Sequence, residues 1–245
     1  MPVIEMRKAR RQPVQIGLAV RGSHGGWRAG AGRKPKREGE HKGHRARPAL
    51  ASRFPVHVTL KTVSSAPHLR RGVCFRVVRS ALAAGKDRGG FRLVHFTVQS
   101  NHLHLLCEAR DKETLSRGMQ GLAIRIARGL NRKMDRKGRL FAERYHERIL
   151  RTPTEVRRVL AYVLNNSRRH NPERFGAYWI DPCSSAPWFT GWRTRLREPW
   201  ARPEGEAPVV DAETWLLDEG WLRAGGRLAL GEVGAVHLAG GPPGG

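Results

Sequence analysis

The sequence is short of cysteine, of acidic side chains and of long apolar segments. Its 245 residues include three cysteines, Cys74, Cys107 and Cys183, an odd number without a close pair, which fits neither a disulfide framework nor a CxxC zinc site. No apolar run reaches the roughly 18 residues that span a bilayer, and no apolar signal segment stands at the N-terminus. We therefore expect a soluble, unsecreted, cytoplasmic protein with reduced thiols.

The deficit of acidic residues leaves a strongly basic chain. Its 46 Lys and Arg against 21 Asp and Glu give a net charge of +25 and a pI near 11.5. A compact chain with this charge repels itself unless a polyanion shares its surface. Nucleic acid is the predicted partner, and in the cell we expect association with the nucleoid.

The charge is distributed unevenly, which predicts three regions. Residues 1–50 carry thirteen Lys and Arg against three Glu, which indicates a flexible basic arm that binds DNA phosphates or, alternatively, only solubilises the chain. Residues 198–245 contain eight acidic residues and three Arg. We therefore predict an arm over 1–50, a catalytic domain over 51–195 and an acidic, partly disordered extension over 196–245. The DNA-binding residues predicted in the arm are Arg33, Lys34, Lys36 and Arg37.

Alternating and amphipathic segments predict the elements of the central domain. They are strands over 54–62, 91–98, 102–109 and 145–151, with helices over 69–84, after Asp111 and after Thr152. This order predicts an α+β fold with a ferredoxin-like antiparallel sheet and helices on one face. The predicted apolar stripes are Val73, Val77, Ala81 and Ala84 on the first helix, and Leu115, Met119, Leu122, Ile126 and Leu130 on the second. A short helix near Trp215 is expected to dock on the domain.

The second helix also carries a row of cations outside its apolar stripe, and a basic loop follows it. With the arm, these side chains form the predicted DNA-binding surface. The residues are Arg117, Arg125, Arg128, Arg132, Arg136 and Lys137.

Two pairs of side chains are candidates for chemistry. His102 and His104 lie two apart on a predicted strand, so both imidazoles point to one face and can hold a divalent metal, although such pairs are as often ordinary hydrogen-bonded histidines. Leu106 excludes the HxHxDH pattern of metallohydrolases, which requires Asp there. Tyr162 and Asn166 lie one helical turn apart and share a predicted polar face. The alternative for Tyr162 is a tyrosine that covers the edge of the core.

Taken together, three motifs resemble a known family. They are SNHLHLL at 100–106, similar to the family's NHxHLL strand; GRLFAERYH at 138–146, similar to G-x-x-F…RYH; and AYVLNN at 161–166, similar to Y-I-x-x-N. The family is the REP-associated tyrosine transposases of the HUH-type single-tyrosine superfamily. The resemblance extends from about Arg53 to Trp192 and includes DPCSS at 181–185. Ser167, where proline usually follows the helix Asn, departs from the pattern.

The resemblance implies a catalytic role for each candidate. His102 and His104 correspond to the metal-binding pair, Tyr162 to the nucleophile and Asn166 to a third ligand, with Mg²⁺ or Mn²⁺ as the ion. The implied reaction is cleavage and rejoining of single-stranded or hairpin DNA through a 5′-phosphotyrosine intermediate, by a monomer or a homodimer. The alternative is a non-catalytic DNA or RNA hairpin-binding protein that keeps only the fold and the cations.

Overall fold

The computed structural model describes residues 48–170, 175–176, 178–196 and 206–232, so the basic arm lies outside the described residues. The strands are β1 (Val56–Lys61), β2 (Asp87–Arg88), β3 (Phe91–Val98), β4 (His102–Ala109) and β5 (His146–Ile149). The helices are α1 (Gly72–Ala83), α2 (Lys112–Lys133), α3 (Pro153–Leu164), α4 (Asn166–His170) and α5 (Trp215–Asp218), with 3₁₀ turns at Ala186–Trp188 and Gly220–Ala224. None of the described helices is long and apolar enough to cross a bilayer.

The five strands form one antiparallel sheet in the order β2-β3-β4-β1-β5. The predicted hairpin of β3 and β4 is confirmed at its predicted bounds. Strand β1 lies between β4 and β5, so it is a central strand although it comes first in the chain. The α+β fold class with an antiparallel sheet is therefore confirmed.

Helices cover both faces of this sheet. Leu103 and Leu105 of β4 belong to a core that includes the buried residues of α1 and α2. Leu106 belongs to a second core, built largely by α3 and residues 216–230. Because neighbouring strand residues point to opposite faces, the prediction of helices on one face is wrong for α3. Its apolar stripe packs against the sheet as predicted, but from the other side.

Helix α1 buries a different stripe from the predicted one. Cys74, Val78, Ala81 and Leu82 are buried, whereas Val73 is 38% exposed. The sequence offers apolar residues at adjacent helical positions, and the larger Leu82 side chain can bury more apolar surface than Ala84. Periodicity therefore placed the helix but not its rotation.

Helix α2 follows its sequence signals closely. The Asp111 carboxylate accepts a hydrogen bond from the backbone N–H of Thr114 at 2.7 Å, which caps the first turn. All five residues of the predicted stripe are buried. Gly118 is required for close packing, because a Cβ atom there would lie 2.2 Å from the Phe91 ring.

Helix α3 begins as predicted, with one change in its cap. The Thr152 hydroxyl accepts from the Glu155 N–H at 3.2 Å, but the Glu155 carboxylate accepts from the Arg151 N–H at 2.8 Å rather than returning to Thr152. The Glu155 carboxylate also accepts a hydrogen bond from the Arg148 guanidinium at 3.0 Å. The cap thus ties the start of α3 to β5.

The segments after α4 complete the sheet and the second core. Residues 183–185 pair with the open edge of β3 through Val98 N–H to Cys183 O at 2.8 Å and Ser185 N–H to Phe96 O at 2.9 Å. The predicted helix near Trp215 is confirmed as α5, and Leu216 and Leu217 are buried in the core that contains α3. Residues 206–232 thus pack on the domain itself, while the predicted division of the chain into three regions stays a prediction.

Candidate active site

The candidate site centres on His104, a 1% exposed side chain on β4. In the register of β1 and β4, Thr59 lies opposite His104. His102 lies two residues earlier on the same face, closer to solvent. The predicted convergence of the two imidazoles is present, with their Nε2 atoms 3.1 Å apart.

Helix α3 brings Tyr162 to the same nitrogen. The phenol oxygen lies 3.1 Å from His104 Nε2, and the side chain is 6% exposed. Tyr162 is therefore buried over the sheet, whereas the prediction placed it on a polar face shared with Asn166. The structure thus brings a phenol from α3 together with two imidazoles from β4.

Sequence reasoning missed His57 and Thr59, which contact the other side of the His104 ring. Thr59 Oγ1 lies 3.1 Å and His57 Nε2 lies 3.3 Å from His104 Nδ1. Burial, with a smaller contribution from Arg148, lowers the pKa of His57 from 6.5 to about 4, so this imidazole is neutral near pH 7. The sequence HVT at 57–59 could have revealed them. Val56, Val58 and Leu60 alternate with His57 and Thr59 and pack in the core on the opposite face, so the two polar residues face the site.

Sequence reasoning also missed Asn101, which determines which ring nitrogen of His102 carries the hydrogen. The two side chains meet at 2.9 Å through His102 Nδ1 and Asn101 Oδ1. An amide oxygen only accepts, so Nδ1 carries the hydrogen and Nε2 of the neutral ring keeps a lone pair. That lone pair faces His104, which is the arrangement of a metal-binding imidazole.

The contacts around His104 Nε2 exceed what one nitrogen can satisfy. An imidazole nitrogen has either one N–H or one lone pair in the ring plane, yet both His102 Nε2 and the Tyr162 oxygen lie 3.1 Å away. Two ligands at right angles around an ion at about 2.1 Å are about 3 Å apart. The spacing of the two Nε2 atoms therefore fits a shared cation.

No group of three or more His, Cys, Asp or Glu side chains is arranged to hold a metal within the described ranges. The histidine pair is thus at most part of a coordination shell, and a complete shell requires other donors. Amide oxygens and water are the remaining candidates, since both suit Mg²⁺ and Mn²⁺.

Asn166 differs from its predicted placement. Helix α3 ends at Leu164 with Asn165 as its C-cap, and Asn166 begins α4, so Tyr162 and Asn166 do not share one helix. The Asn166 side chain is fully buried, and neither its Oδ1 nor its Nδ2 has a hydrogen-bond partner among the described residues. A buried amide without partners costs about 1–3 kcal/mol. The Asn166 oxygen therefore has unused acceptor capacity, and its role as a third ligand stays a prediction.

The other two tyrosines lie elsewhere. Tyr145 packs against the core that contains α1 and α2, on the face of the sheet opposite His104. Tyr178 is 67% exposed in the segment after α4. Tyr162 is therefore the tyrosine next to the histidine pair.

The predicted DNA-binding residues of α2 lie on the face away from the histidines. Arg125, Arg128 and Arg132 line an open groove of about 770 Å³ together with Arg76 and Lys133. Arg117 and Lys137 are exposed, and Arg136 donates to the Asn131 side chain at 2.9 Å. The cationic residues predicted in the arm, Arg33, Lys34, Lys36 and Arg37, lie outside the described residues.

A comparison with known protein families agrees with the motifs. Residues 52–166 match the model of the family described as IS200-like transposases, which confirms, over this part of the chain, the resemblance to single-tyrosine transposases. No curated protein matches the chain. A similar solved structure is that of a REP-associated tyrosine transposase bound to a REP hairpin, with 16% identity, a TM-score of 0.48, and coverage of 69% of this chain and 94% of that chain.

Proposed function

We propose that the protein cleaves and rejoins single-stranded or hairpin DNA through a 5′-phosphotyrosine intermediate, with Tyr162 as the nucleophile. His102 and His104 hold a divalent ion, Mg²⁺ or Mn²⁺, and Asn166 supplies a further oxygen ligand. The observation that carries the proposal is the approach of both the Tyr162 oxygen and His102 Nε2 to within 3.1 Å of His104 Nε2. The IS200-like transposase match over residues 52–166 supports the same chemistry.

The residues around the histidines support their role as ligands. Asn101 keeps the lone pair of His102 on Nε2, and Thr59 and His57 lie at the Nδ1 atom of His104. With a hydrogen on Nδ1 of His104, its Nε2 also presents a lone pair. When bound, the ion polarises a nonbridging phosphate oxygen and stabilises charge on the leaving oxygen.

Tyr162 performs the covalent step. A phenol is a weak nucleophile until its proton leaves, and a water or a basic group at the site takes that proton as the phenol oxygen attacks phosphorus. The bond from phosphorus to the 3′ oxygen breaks, and that oxygen gains a proton to give a free 3′-OH. Helix α3 and the surrounding core restrict the side chain, so little rotational freedom is lost at the moment of attack.

Rejoining is the reverse of this step. A 3′-OH attacks the phosphotyrosine, forms the new phosphodiester and returns the proton to the Tyr162 oxygen. Because each step exchanges one phosphoester bond for another, no nucleoside triphosphate is consumed. One site is therefore sufficient for both halves of the reaction.

The experiment is incubation of the full chain with labelled single-stranded and hairpin DNA libraries, with and without Mg²⁺ or Mn²⁺. We expect a denaturant-resistant protein–DNA species that requires the ion and carries DNA on Tyr162. Tight hairpin binding without any covalent species under either ion would instead identify a non-catalytic binding protein.

A further inference from the structure

A second groove is lined by residues from 187–196 and by Arg227. These residues follow the segment 183–185, which pairs with the edge of β3. The groove has a volume of about 690 Å³, and its lining includes Trp188, Phe189 and Trp192 together with the cations Arg193, Arg195 and Arg227. This volume is in the range of small-ligand sites. Among the described residues, the lining contains no acidic side chain, so this part of the groove combines an aromatic wall with positive charge.

The three arginines are exposed and positively charged without an acidic partner among the described residues. Arg227 donates one hydrogen bond to the backbone oxygen of Thr190 at 2.8 Å, which fixes its guanidinium beside the groove. A guanidinium presents five donors, so one bond leaves most of them for a ligand. Arginine forks of this kind match phosphate oxygens.

The aromatic wall is held rigidly. Trp192 Nε1 donates to Ala186 O at 3.0 Å, and the Arg193 N–H donates to Leu228 O at 2.7 Å. A side chain at Gly191 would lie 2.3 Å from the Phe189 ring and 2.7 Å from Trp221, so the backbone must approach these rings closely. The groove is therefore preorganised for a ligand.

The groove adjoins the sheet face that carries the candidate active site. Phe189 packs edge-on against His95 of β3 with ring centroids 5.3 Å apart. In the register of β3 and β4, His95 pairs with Leu106, and the next pair on the same face joins Thr97 to His104. Two residues along a strand correspond to about 7 Å, so His95 lies close to the histidine site.

We propose that this groove binds a short segment of single-stranded nucleic acid next to the reacting phosphodiester, with its phosphates on Arg193, Arg195 and Arg227 and a base against Phe189. Single-strand sites elsewhere combine basic grooves with aromatic contacts in this way. The inference rests on the proposed function for the identity of the strand. It assigns to residues 187–196 and Arg227 a binding role that is separate from the groove on α2.

The test is anisotropy of a fluorescein-labelled oligothymidylate of about 20 nucleotides, measured with the full chain over a salt series. We expect R193E and R195E each to weaken binding about tenfold and to reduce the log-log salt slope by about 0.7 per lost phosphate contact. The matched control is R88E, which makes the same charge change on the exposed strand β2, and we expect less than about a twofold effect from it. Equal losses in R88E and in the groove variants would overturn the site in favour of diffuse charge attraction.

A photocrosslink gives an independent readout. The same oligonucleotide with 5-iodouracil is irradiated on the wild-type chain, and the attached peptide is identified by mass spectrometry. We expect the crosslink within residues 187–196, and crosslinks confined to other segments would contradict the proposal. Adduct formation on Tyr162 is measured separately on the wild-type protein. Absence of the adduct would contradict the proposed function, whereas absence of the crosslink within residues 187–196 would contradict only the proposed groove.

Discussion

The two faces of the sheet bury very different side chains. The face beneath α1 and α2 buries residues that are almost all apolar, such as Leu103, Leu105 and Leu122. The face beneath α3 buries His57 and His104 of the sheet against Tyr162. One face thus supplies hydrophobic stabilisation, whereas the other buries polar groups that stability alone does not require.

The second face also carries a buried carboxylate away from the histidines. Glu108 accepts from the backbone N–H groups of Glu213 and Thr214 and from the Thr214 hydroxyl at 2.8–3.1 Å. This carboxylate anchors residues 206–232, and it also lies 3.6 Å from Arg92 Nε of β3. The polar groups near His104 differ because His102 Nε2 and the Tyr162 oxygen both approach one ring nitrogen at 3.1 Å, which supports the proposed metal site.

The largest effect is expected from Tyr162→Phe. The change removes one oxygen and little volume, so folding and DNA binding persist while covalent adduct falls by more than about a thousandfold, as expected for loss of a nucleophile. Mass spectrometry of the peptide attached to the 5′-phosphate is the measurement. Tyr145→Phe and Tyr178→Phe serve as controls, and an adduct on either of those tyrosines would contradict the assignment.

Replacement of either histidine by alanine separates chemistry from stability. Both His102→Ala and His104→Ala are expected to abolish cleavage that depends on a divalent ion. His104→Ala also deprives Thr59, His57 and Tyr162 of a partner and lowers the free energy of unfolding by about 1–3 kcal/mol, whereas the half-buried His102 costs less. Chemical denaturation and cleavage assays on both variants test this, and wild-type cleavage by both would exclude the pair as ligands.

How far the sequence predicts the structure differs between these faces. The stripe of α2, the Asp111 cap and the β3–β4 hairpin depend on local patterns, and all three are confirmed. The rotation of α1 and the side of the sheet that α3 covers depend on competition between apolar faces in the assembled core. The periodicity of one segment contains no information about the other segments of the core, so it cannot predict these two features.

The candidate site shows the same division. The spacing of His102 and His104 predicts their convergence, because strand geometry is local. His57 reaches His104 through the register of β1 with β4, a pairing between residues 47 positions apart. The motif resemblance singles out Tyr162, but the break between α3 and α4 moves Asn166 out of the predicted helical phase.

Core truncations on the two faces compare them directly. Leu122→Ala on α2 and Leu160→Ala on α3 each remove a fully buried side chain and are expected to cost about 2–5 kcal/mol of unfolding free energy. Only Leu160→Ala loosens the helix that holds Tyr162, so only this variant is expected to slow adduct formation by folded protein. Similar slowing in Leu122→Ala would show that the faces are not functionally distinct.

The pH dependence of stability tests the polar face of the sheet at His95, a partly buried side chain. Burial lowers the pKa of His95 from 6.5 to about 3, so between these values the unfolded chain binds a proton that the folded chain does not. Stability therefore falls as pH falls through this window, by up to about 1.4 kcal/mol per pH unit. Denaturation midpoints from pH 7 to pH 4 should show a smaller slope in His95→Gln, with the exposed His68→Gln as control. An unchanged slope would contradict the burial argument.

The smallest effect is expected from Asn166→Ala. The variant removes a buried amide without a partner among the described residues, so the loss of packing is offset by relief of an unsatisfied polar group and unfolding free energy changes by less than about 1 kcal/mol. As a lost ligand that water can replace, it should raise the Mg²⁺ or Mn²⁺ concentration for half-maximal cleavage about tenfold. Asn165→Ala is the matched control, because its amide donates to Glu232 O at 2.8 Å and its loss destabilises the fold without removing a ligand. A metal titration that shifts equally in both variants would remove Asn166 from the coordination shell and leave the histidine pair with water alone.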